Sequence, residues 1–366
     1  MHIIAFNVPY PPDYGGVIDI YHKIRCLKEL DVEIILHCFQ YGRQKSPELE
    51  PHCRKVYYYQ RYSGIKYFLN YLPYIVVTRS TPDLLRNLMN DQYPVLFEGI
   101  HSSFFLSNSE LKNKVRILRT HNIENEYYHG LSEAETSLFK KLFFLAESKK
   151  LKKYELDLPE DIVIAAISAA DTEYFNVRYP NTFHLSPFHP YDRLSCLPGK
   201  GKYILIHGDL SVPANIYSTI YLVKEILHNI PFQVIIAGRD PASRIRNLTV
   251  QYSNISLQAN PDSLSMLELV RQAQINLVHS FQKTGIKLKL VTALFNGRHC
   301  LTNAEAVRNS GLETLCHVGE NGKKIKDLVY QLMDISFTEE EIKARETVLM
   351  REYSNVENAQ KIYDII

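Results

Sequence analysis

The sequence lacks several features that mark common classes of protein. It has no tryptophan, and its 6 cysteines are scattered without a C-x-x-C pair. Most of these cysteines lie in apolar segments, which favours reduced, buried thiols over a disulfide framework or a zinc site. No apolar run approaches the ~18 residues that a membrane-spanning helix needs. We therefore expect a cytoplasmic protein with no bound metal.

Three widespread functional motifs are also absent from the chain. It contains neither G-x-G-x-x-G nor G-x-x-x-x-G-K-[ST], which disfavours a nicotinamide-dependent enzyme and a P-loop nucleotidase. It contains no G-x-S-x-G, which disfavours a serine hydrolase. Lysine and arginine total 42 against 40 for aspartate and glutamate, so the formal charge is only +2. This balance gives no compositional support for nucleic-acid binding.

Short apolar runs rich in valine, isoleucine and tyrosine alternate with longer stretches of helical period. This alternation predicts βα units around parallel sheets. The runs are 2–8, 32–39, 55–59, 95–100, 116–121 and 162–168 in the first half, and 203–207, 232–237, 255–258, 275–279, 299–302 and 314–318 in the second. A cluster of proline and glycine separates the halves and marks a domain boundary.

We accordingly predict an α/β protein of two doubly wound, Rossmann-like domains that face each other across a cleft. The predicted boundaries are 1–186 for the first domain, 187–201 for a linker and 202–350 for the second domain. Residues 351–366 are predicted to form a C-terminal helix that packs back on the first domain. Ligands of such sheets bind beyond the carboxyl ends of the strands, so we expect the functional residues there.

Two motifs follow strands of the first half. Gly15 and Gly16 come directly before an amphipathic stretch, where the free N–H groups of a helix N-terminus favour a phosphate or another anion. His121, Asn122 and Glu124 lie at the exit of a predicted strand, where a histidine beside an amide and a carboxylate can bind a sugar or a phosphate. The alternative interpretation of the glycine pair is a plain turn, and that of His121 is a structural histidine.

Two turns of the second half present groups suited to a phosphate. Gly208 and Asp209 lie in one predicted strand-to-helix turn, and Gly238 and Arg239 lie in the next. The planar, permanently charged guanidinium of Arg239 matches phosphate oxygens. A helix-capping role for Asp240 in the second turn is compatible with this function.

A further segment places lysines at the start of a predicted helix. We expect Gly285 to begin this helix, with Lys287 in its first turn and Lys289 close behind. A cation at this position opposes the helix dipole and requires a compensating anion. A bound diphosphate would supply that charge.

The order and spacing of these motifs resemble those of the retaining glycosyltransferases with the GT-B fold, in the large group called family four. The segment 285–289, followed by Ala293, Leu294 and Gly297 and by the run 299–302, is similar to the donor-binding segment of that family. The other motifs occur where the family has its counterparts. The resemblance spans nearly the whole chain and implies the GT-B architecture.

The resemblance implies a hexosyltransferase that moves a sugar from a nucleotide diphosphate donor to a glycan or lipid-linked acceptor. Such enzymes retain the anomeric configuration and need neither a metal nor a cofactor besides the donor substrate. By position, Arg239 and Lys287 would neutralise the diphosphate and His121 would contact the transferred sugar. The positions assigned to binding are Gly15, Gly16, Asn122, Glu124, Gly208, Asp209, Gly238, Thr284, Lys289 and Thr292. A role in bacterial envelope polysaccharide synthesis would fit this activity.

One departure from the family pattern concerns the ribose of the donor. Thr284 and Thr292 stand where the family usually has two glutamates. A threonine at 292 replaces a bidentate carboxylate by one neutral acceptor, which would weaken ribose binding by about 1–2 kcal/mol. Two alternatives therefore stay open: an inactive GT-B protein that binds a nucleotide or a glycan as a partner, and a nucleotide-sugar 2-epimerase.

The segment 137–158 has apolar residues at helical spacing and six lysines among the other positions. A basic amphipathic helix of this kind can lie on an anionic membrane surface. One interpretation is therefore peripheral contact with the inner face of the cytoplasmic membrane. The other is a core helix with a solvated lysine face.

Overall fold

The structure is a computed structural model that describes the backbone of residues 1–366 and the side chains of residues 1–133 and 135–366. It divides into two compact units. Unit 1 comprises Met1–Pro190 together with Ser354–Ile366, and unit 2 comprises Tyr191–Tyr353.

Unit 1 is built on a seven-stranded parallel sheet in the order β3-β2-β1-β4-β5-β6-β7. The strands are β1 (His2–Ala5), β2 (Ile35–Gln40), β3 (Lys55–Gln60), β4 (Val95–Glu98), β5 (Arg116–Thr120), β6 (Val163–Ala166) and β7 (Thr182–His184). The helices are α1 (Gly15–Glu29), α2 (Ile65–Phe68), α3 (Tyr74–Val77), α4 (Pro82–Leu88), α5 (Glu124–Ala134), α6 (Leu138–Leu156) and α7 (Ala169–Asn176). Short 3-10 turns span Pro47–His52, Ile100–Phe105 and Ser109–Leu111.

Both faces of this sheet are covered, as a parallel sheet requires. Ile4, Phe97 and Leu118 point into one core, and their neighbours Ile3 and Leu96 point into the other. The strand order reverses between β1 and β4. In open α/β sheets such a reversal opens a crevice beyond the carboxyl ends of the two strands, and ligands bind there.

Unit 2 contains a six-stranded parallel sheet in the order β10-β9-β8-β11-β12-β13. The strands are β8 (Ile204–Asp209), β9 (Val234–Arg239), β10 (Ile255–Ala259), β11 (Ile275–Val278), β12 (His299–Thr302) and β13 (His317–Val318). The helices are α8 (Pro213–Tyr221), which continues as a π-helix (Leu222–Leu227), α9 (Ser243–Thr249), α10 (Ser263–Gln272), α11 (Leu288–Asn296), α12 (Ala304–Val307), α13 (Gly322–Asp334) and α14 (Glu339–Glu352). A 3-10 turn spans Glu313–Leu315, and the strand order reverses between β8 and β11.

The last helix, α15 (Asn355–Tyr363), belongs to unit 1. The side chain of Asn355 accepts a hydrogen bond from the N–H of His189 and donates one to its carbonyl, at 3.1 and 2.8 Å. Ala359 and Ile362 are buried in the same core as Ile3. The C-terminus is therefore fixed to unit 1 by paired polar contacts and by apolar burial.

The predicted fold class, two doubly wound parallel-sheet domains, is confirmed, and each predicted apolar run overlaps a strand. Strand β7 was not predicted, because its three residues are too few to show a period. The predicted helix start at Gly285 is wrong: α11 begins at Leu288, and Lys287 is its N-cap residue. Gly285 has φ +69°, in the left-handed region, so it turns the chain before the helix instead of beginning it.

Candidate functional site

Two of the predicted glycines are register partners at the carboxyl ends of β8 and β9. Gly208 pairs with Gly238, and Gly208 has φ +149°, which other residues rarely adopt. A Cβ atom on Gly238 would lie 1.8 Å from the carbonyl oxygen of Gly208. Glycine at 238 is therefore required by the close approach of the two strand ends, whatever binds nearby.

Arg239 lies at this strand edge in an ion pair. Its Nη2 donates to Oδ2 of Asp209, and the side chain of Asn215 donates to the carbonyl of Asp209 at 2.9 Å. The Oδ1 of Asn215 in turn accepts from Nζ of Lys289 at 3.3 Å. Hydrogen bonds thus connect Arg239 with Lys289 through Asp209 and Asn215. A phosphate at Arg239 would share the guanidinium with a carboxylate.

The two lysines before and within α11 are largely buried. Nζ of Lys287 donates to the carbonyls of Thr284 and Gly285, and Nζ of Lys289 donates to the carbonyl of His279 at 3.0 Å. Burial lowers the pKa of each lysine to about 8, and repulsion from Lys289 adds to the effect on Lys287. Among the described residues, no carboxylate forms an ion pair with either amine.

The N-terminus of α11 adds to this positive charge. Its N-cap residue makes no side-chain cap, and its first turn contains no acidic residue. The free N–H groups of a helix N-terminus carry the positive end of the helix dipole. Two partly desolvated ammonium groups and an uncapped helix start therefore lie together, an arrangement that favours an anion. The sequence had placed the helix start three residues too early.

A cavity of about 270 Å³ in unit 2 adjoins this segment through His279. Its lining residues are Tyr221, His279, Phe281, Lys283, Asn303, Glu305, Gly319, Glu320, Asn321 and Ile325. The rings of Tyr221 and Phe281 lie 5.3 and 4.7 Å from that of His279. Asn303 donates to Oε2 of Glu305 at 2.7 Å, which orients this carboxylate. The cavity thus combines an aromatic wall with a fixed acid.

The two threonines assigned to binding, Thr284 and Thr292, make different kinds of contact. Thr284 supplies its backbone carbonyl to Lys287. The hydroxyl of Thr292 accepts from Tyr191 and donates to the carbonyl of Leu288, both at 3.1 Å. Among the described residues, those lining the cavity do not include Thr292.

In unit 1, His121 belongs to a buried ionic network. Nε2 of His121 lies 3.1 Å from Oε2 of Glu98, and Nδ1 lies 3.9 Å from Oδ2 of Asp19. Lys23 donates to Glu98 at 2.7 Å and to Asp19 at 3.0 Å, and Arg119 also donates to Asp19. Burial alone would raise the pKa of Glu98, but the Lys23 ammonium and His121 outweigh it and lower that pKa. The imidazole is therefore held with both nitrogens toward carboxylates.

Gly16 is packed against the end of β1. A Cβ atom on Gly16 would lie 2.6 Å from the Cζ of Phe6, and the Phe6 ring meets the His121 ring edge-on at 5.5 Å. Gly15 is the first residue of α1, which has no side-chain cap and no acid in its first turn. Gly16 and His121 are thus neighbours around one aromatic ring.

Glu124 and Asn122 lie close to each other at the start of α5. Nδ2 of Asn122 lies 3.5 Å from Oε1 of Glu124, whose side chain is buried. Burial raises the pKa of Glu124 to about 8, and Glu155 contributes to the shift. Oε1 of Glu155 accepts from the N–H groups of Glu124 and Asn125, so this acid caps the N-terminus of α5.

Two clusters among the described residues have the donor atoms for a metal ion. In Asp19, Glu98 and His121, the ammonium of Lys23 already bridges the two carboxylates. In the second cluster, His299, His317 and Glu341, both histidine pKa values are lowered by burial and by cationic Arg345 nearby. Cationic neighbours make both clusters unfavourable for a further cation.

Sequence reasoning missed several residues that the structure brings to these places. Asp19 and Lys23 are charged residues on the buried face of α1, and Glu98 ends an apolar run. A charged residue at an otherwise apolar position of a helix or strand indicates a buried ionic contact. His279 and Phe281 follow directly after β11, where the carboxyl end of a parallel strand indicates a ligand site. Glu305 carries no distinctive local pattern.

No family model matches the chain. An uncharacterized 44.6 kDa protein in the cps region of Klebsiella pneumoniae is 29% identical over 238 residues. The match covers 61% of this chain and 59% of that protein, so the chain spans less than two thirds of its relative.

Solved structures with the same architecture are numerous. WaaG, a glycosyltransferase involved in lipopolysaccharide biosynthesis, superposes with a TM-score of 0.65 at 11% identity, over 100% of this chain and 99% of that one. HepE of Anabaena in complex with UDP-glucose gives a TM-score of 0.67 at 10% identity, over 99% and 98%. The chain has the GT-B fold. At these identities the likeness is one of architecture, and activity has to be argued from the site.

Proposed function

We propose that the protein is a glycosyltransferase that moves a sugar from a nucleoside diphosphate donor to a glycan or lipid-linked acceptor. The observation that carries the proposal is the cationic edge of unit 2. There Lys287, Lys289 and the open start of α11 lack carboxylate partners among the described residues and adjoin a 270 Å³ cavity through His279.

In this proposal the cavity binds the nucleoside part of the donor. Its volume is close to the lower end of the range for ligand pockets, which suits a nucleoside better than a whole donor. Phe281 and Tyr221 offer aromatic faces to a base. We assign the ribose contact to the carboxylate of Glu305, in place of the glutamate that the family usually has at position 292.

The reaction follows from the charge that develops on the donor. The bond between the anomeric carbon and the diphosphate breaks, and a new bond to the acceptor oxygen forms on the same face. The acceptor proton passes to the departing phosphate oxygen, so no side-chain base is required. Lys287, Lys289, Arg239 and the start of α11 would stabilise the diphosphate without a metal. His121 would contact the transferred sugar by exchanging one of its carboxylate contacts.

Isothermal titration with UDP, GDP and their sugars tests donor binding. Lys289→Gln should weaken the preferred nucleotide at least tenfold, whereas Lys323→Gln, at an exposed position of α13, should not change it. If no nucleoside diphosphate binds or raises the melting temperature at millimolar concentration, the proposal fails. Binding without hydrolysis or transfer would support a partner protein, and an altered donor sugar would support an epimerase.

The acceptor side of the proposal includes peripheral membrane contact through α6. Leu138 and Phe139 are 71% and 77% exposed, with Lys140 and Lys141 beside them. Phe143 contacts Phe68 at 4.6 Å between ring centroids, so the exposed apolar side chains of α6 and α2 adjoin. Such an apolar patch with a basic rim suits an anionic lipid surface.

This membrane contact has a direct test. Among the described residues, no helix is both long enough and apolar enough to cross a bilayer. We expect co-sedimentation with vesicles containing phosphatidylglycerol and less with pure phosphatidylcholine. A Leu138→Gln, Phe139→Gln variant should lose it, while Val356→Gln, at an exposed position of α15, should not. Equal sedimentation of both variants would contradict a docking role for α6.

The cps-region relative is consistent with envelope polysaccharide as the product class.

A further inference from the structure

Arg79 is a buried cation of unit 1 for which the described residues provide no counter-ion. Its side chain is 3% exposed, its Nε donates to the carbonyl of Phe6 at 3.1 Å, and its Nη1 donates to the carbonyl of Ile75 at 2.6 Å. Among the described residues, no carboxylate forms an ion pair with it. Burial lowers its pKa to about 9, and Arg61 adds to this effect. Buried charges are normally paired, so this arrangement requires an explanation.

A second arginine, Arg61, lies close to Arg79, and it too has no acidic partner among the residues that the structure describes. Nε of Arg61 donates to Oγ1 of Thr78 at 3.1 Å, and its guanidinium lies 4.3 Å from the ring centroid of Tyr41 and 5.5 Å from that of Tyr74. Aromatic faces hold an arginine in place without neutralising it. Two positive groups therefore adjoin. In the described part of the chain their partners are backbone carbonyls, a hydroxyl and aromatic rings, and no carboxylate forms an ion pair with either arginine.

His101 completes the cluster. Its ring lies 5.2 Å from the ring of Phe6, the residue whose carbonyl Arg79 binds. Its Nδ1 has no hydrogen-bond partner among the described residues, and Oε1 of Glu124 lies 3.9 Å from it, beyond hydrogen-bond distance. Burial, followed by the charge of Arg79, holds the pKa of His101 well below its usual value. Gly99 has φ +68°, and a Cβ atom there would lie 3.1 Å from His101 Nδ1. Glycine therefore leaves room for the imidazole.

The cluster lies beside the predicted site of unit 1. Phe6 contacts His121 on one side and would collide with any side chain at Gly16 on the other. A guanidinium has five N–H donors, and the two backbone carbonyls use two of those of Arg79. The others suit the paired oxygens of a carboxylate or a phosphate.

We propose that Arg79, Arg61 and His101 form a binding site for an acidic group, a carboxylate or a phosphate, carried by the acceptor. The proposal rests on the proposed function and names its acceptor class as an acidic or phosphorylated glycan. The acid would supply a negative charge beside Arg79, and the rings of Tyr41 and Tyr74, which flank Arg61, would form apolar walls for a sugar.

Histidine side-chain NMR tests this site without requiring turnover. The probes are glucuronate, glucose 6-phosphate and neutral glucose at equal ionic strength, with the His101 signal assigned from His101→Gln. We expect at least one anionic probe to shift this signal saturably and glucose to leave it unchanged. Glucuronate alone indicates a uronic acid acceptor, and glucose 6-phosphate alone indicates a phosphorylated one. No saturable shift with either anion overturns the proposal.

Variants separate binding from structure. Arg79→Gln and Arg61→Gln should each weaken the anionic probe at least tenfold, whereas Arg86→Gln, an exposed arginine of α4, should bind like the parent. If Arg79→Gln fails to fold, Arg61→Gln decides the matter. Parental affinity in a folded Arg61→Gln variant, or in a folded Arg79→Gln variant, overturns the assignment of that arginine.

The same spectra distinguish failure of this site from failure of the proposed function. UDP should shift His279, which lines the cavity of unit 2. A UDP response at His279 without any anion response at His101 overturns the acidic-acceptor site and leaves the proposed donor site standing. The reverse pattern supports an anion site in unit 1 and overturns the nucleotide assignment of unit 2.

Discussion

The hydroxyl of Tyr191 donates a hydrogen bond to Oγ1 of Thr292 over 3.1 Å, and the hydroxyl of Thr292 donates one to the carbonyl of Leu288. Thr292 therefore has a local role within unit 2. We expect Thr292→Val to lower the free energy of unfolding by about 1 kcal/mol, because it removes the acceptor of Tyr191. Denaturant unfolding measures this change. UDP affinity should stay within a factor of about two. A tenfold loss of affinity would show that Thr292 contributes to nucleotide binding.

Glu305 is the carboxylate that we expect to replace the missing acid. It lines the cavity, and Asn303 binds one of its oxygens. Glu305→Gln keeps the shape but removes the charge, so UDP should bind about tenfold more weakly, in line with a charge-assisted bond of ~1.5 kcal/mol. Calorimetry with UDP and with uracil separates the ribose from the base. Glu320→Gln tests the exposed acid of the same cavity, and an equal loss there would indicate a general electrostatic effect.

Nucleotide affinity should depend on pH through the two lysines. Burial lowers the pKa values of Lys287 and Lys289 to about 8, and a diphosphate favours their charged forms. The dissociation constant should therefore be flat below pH 7 and rise above pH 8, by up to about tenfold per unit for each lysine. Titrations at pH 6.5, 8 and 9.5 measure this dependence. Lys289→Gln should flatten the profile, and an unchanged profile would remove Lys289 from the phosphate site.

The sequence predicted the architecture well because apolar periodicity and βα alternation are local signals. It placed Gly208 and Gly238 correctly at strand ends, and the structure supplies the reason in their register pairing. It did not predict the carboxylate partner of His121, because Glu98 lies on a neighbouring strand and only sheet formation brings the two together. Nor did it predict that Asp209 binds Arg239 across β8 and β9.

Gly238→Ala should strongly destabilise unit 2. Its Cβ would lie 1.8 Å from the carbonyl oxygen of Gly208, and both atoms belong to the backbone of adjacent strands. We expect a loss of about 3 kcal/mol or more, or no folded protein. Gly130→Ala is the matched control, because that helical position has open space and alanine should stabilise it by ~0.5–1 kcal/mol. Equal melting temperatures for Gly238→Ala and the parent would show that the two strand ends can separate.

Glu124 should make the stability of unit 1 depend on pH. Burial, with the charge of Glu155, raises its pKa from 4.5 to about 8. Between these values the folded state binds more protons than the unfolded state, so the free energy of unfolding falls as pH rises. Glu124→Gln has no such proton to lose. Its stability relative to the parent should therefore increase by about 4 kcal/mol between pH 5 and pH 8.5, as urea unfolding at both pH values would measure. Glu126→Gln, an exposed position of the same helix, should show no such increase. A difference between Glu124→Gln and the parent that stays constant with pH would mean that Glu124 is ionised at an ordinary pKa in the folded protein.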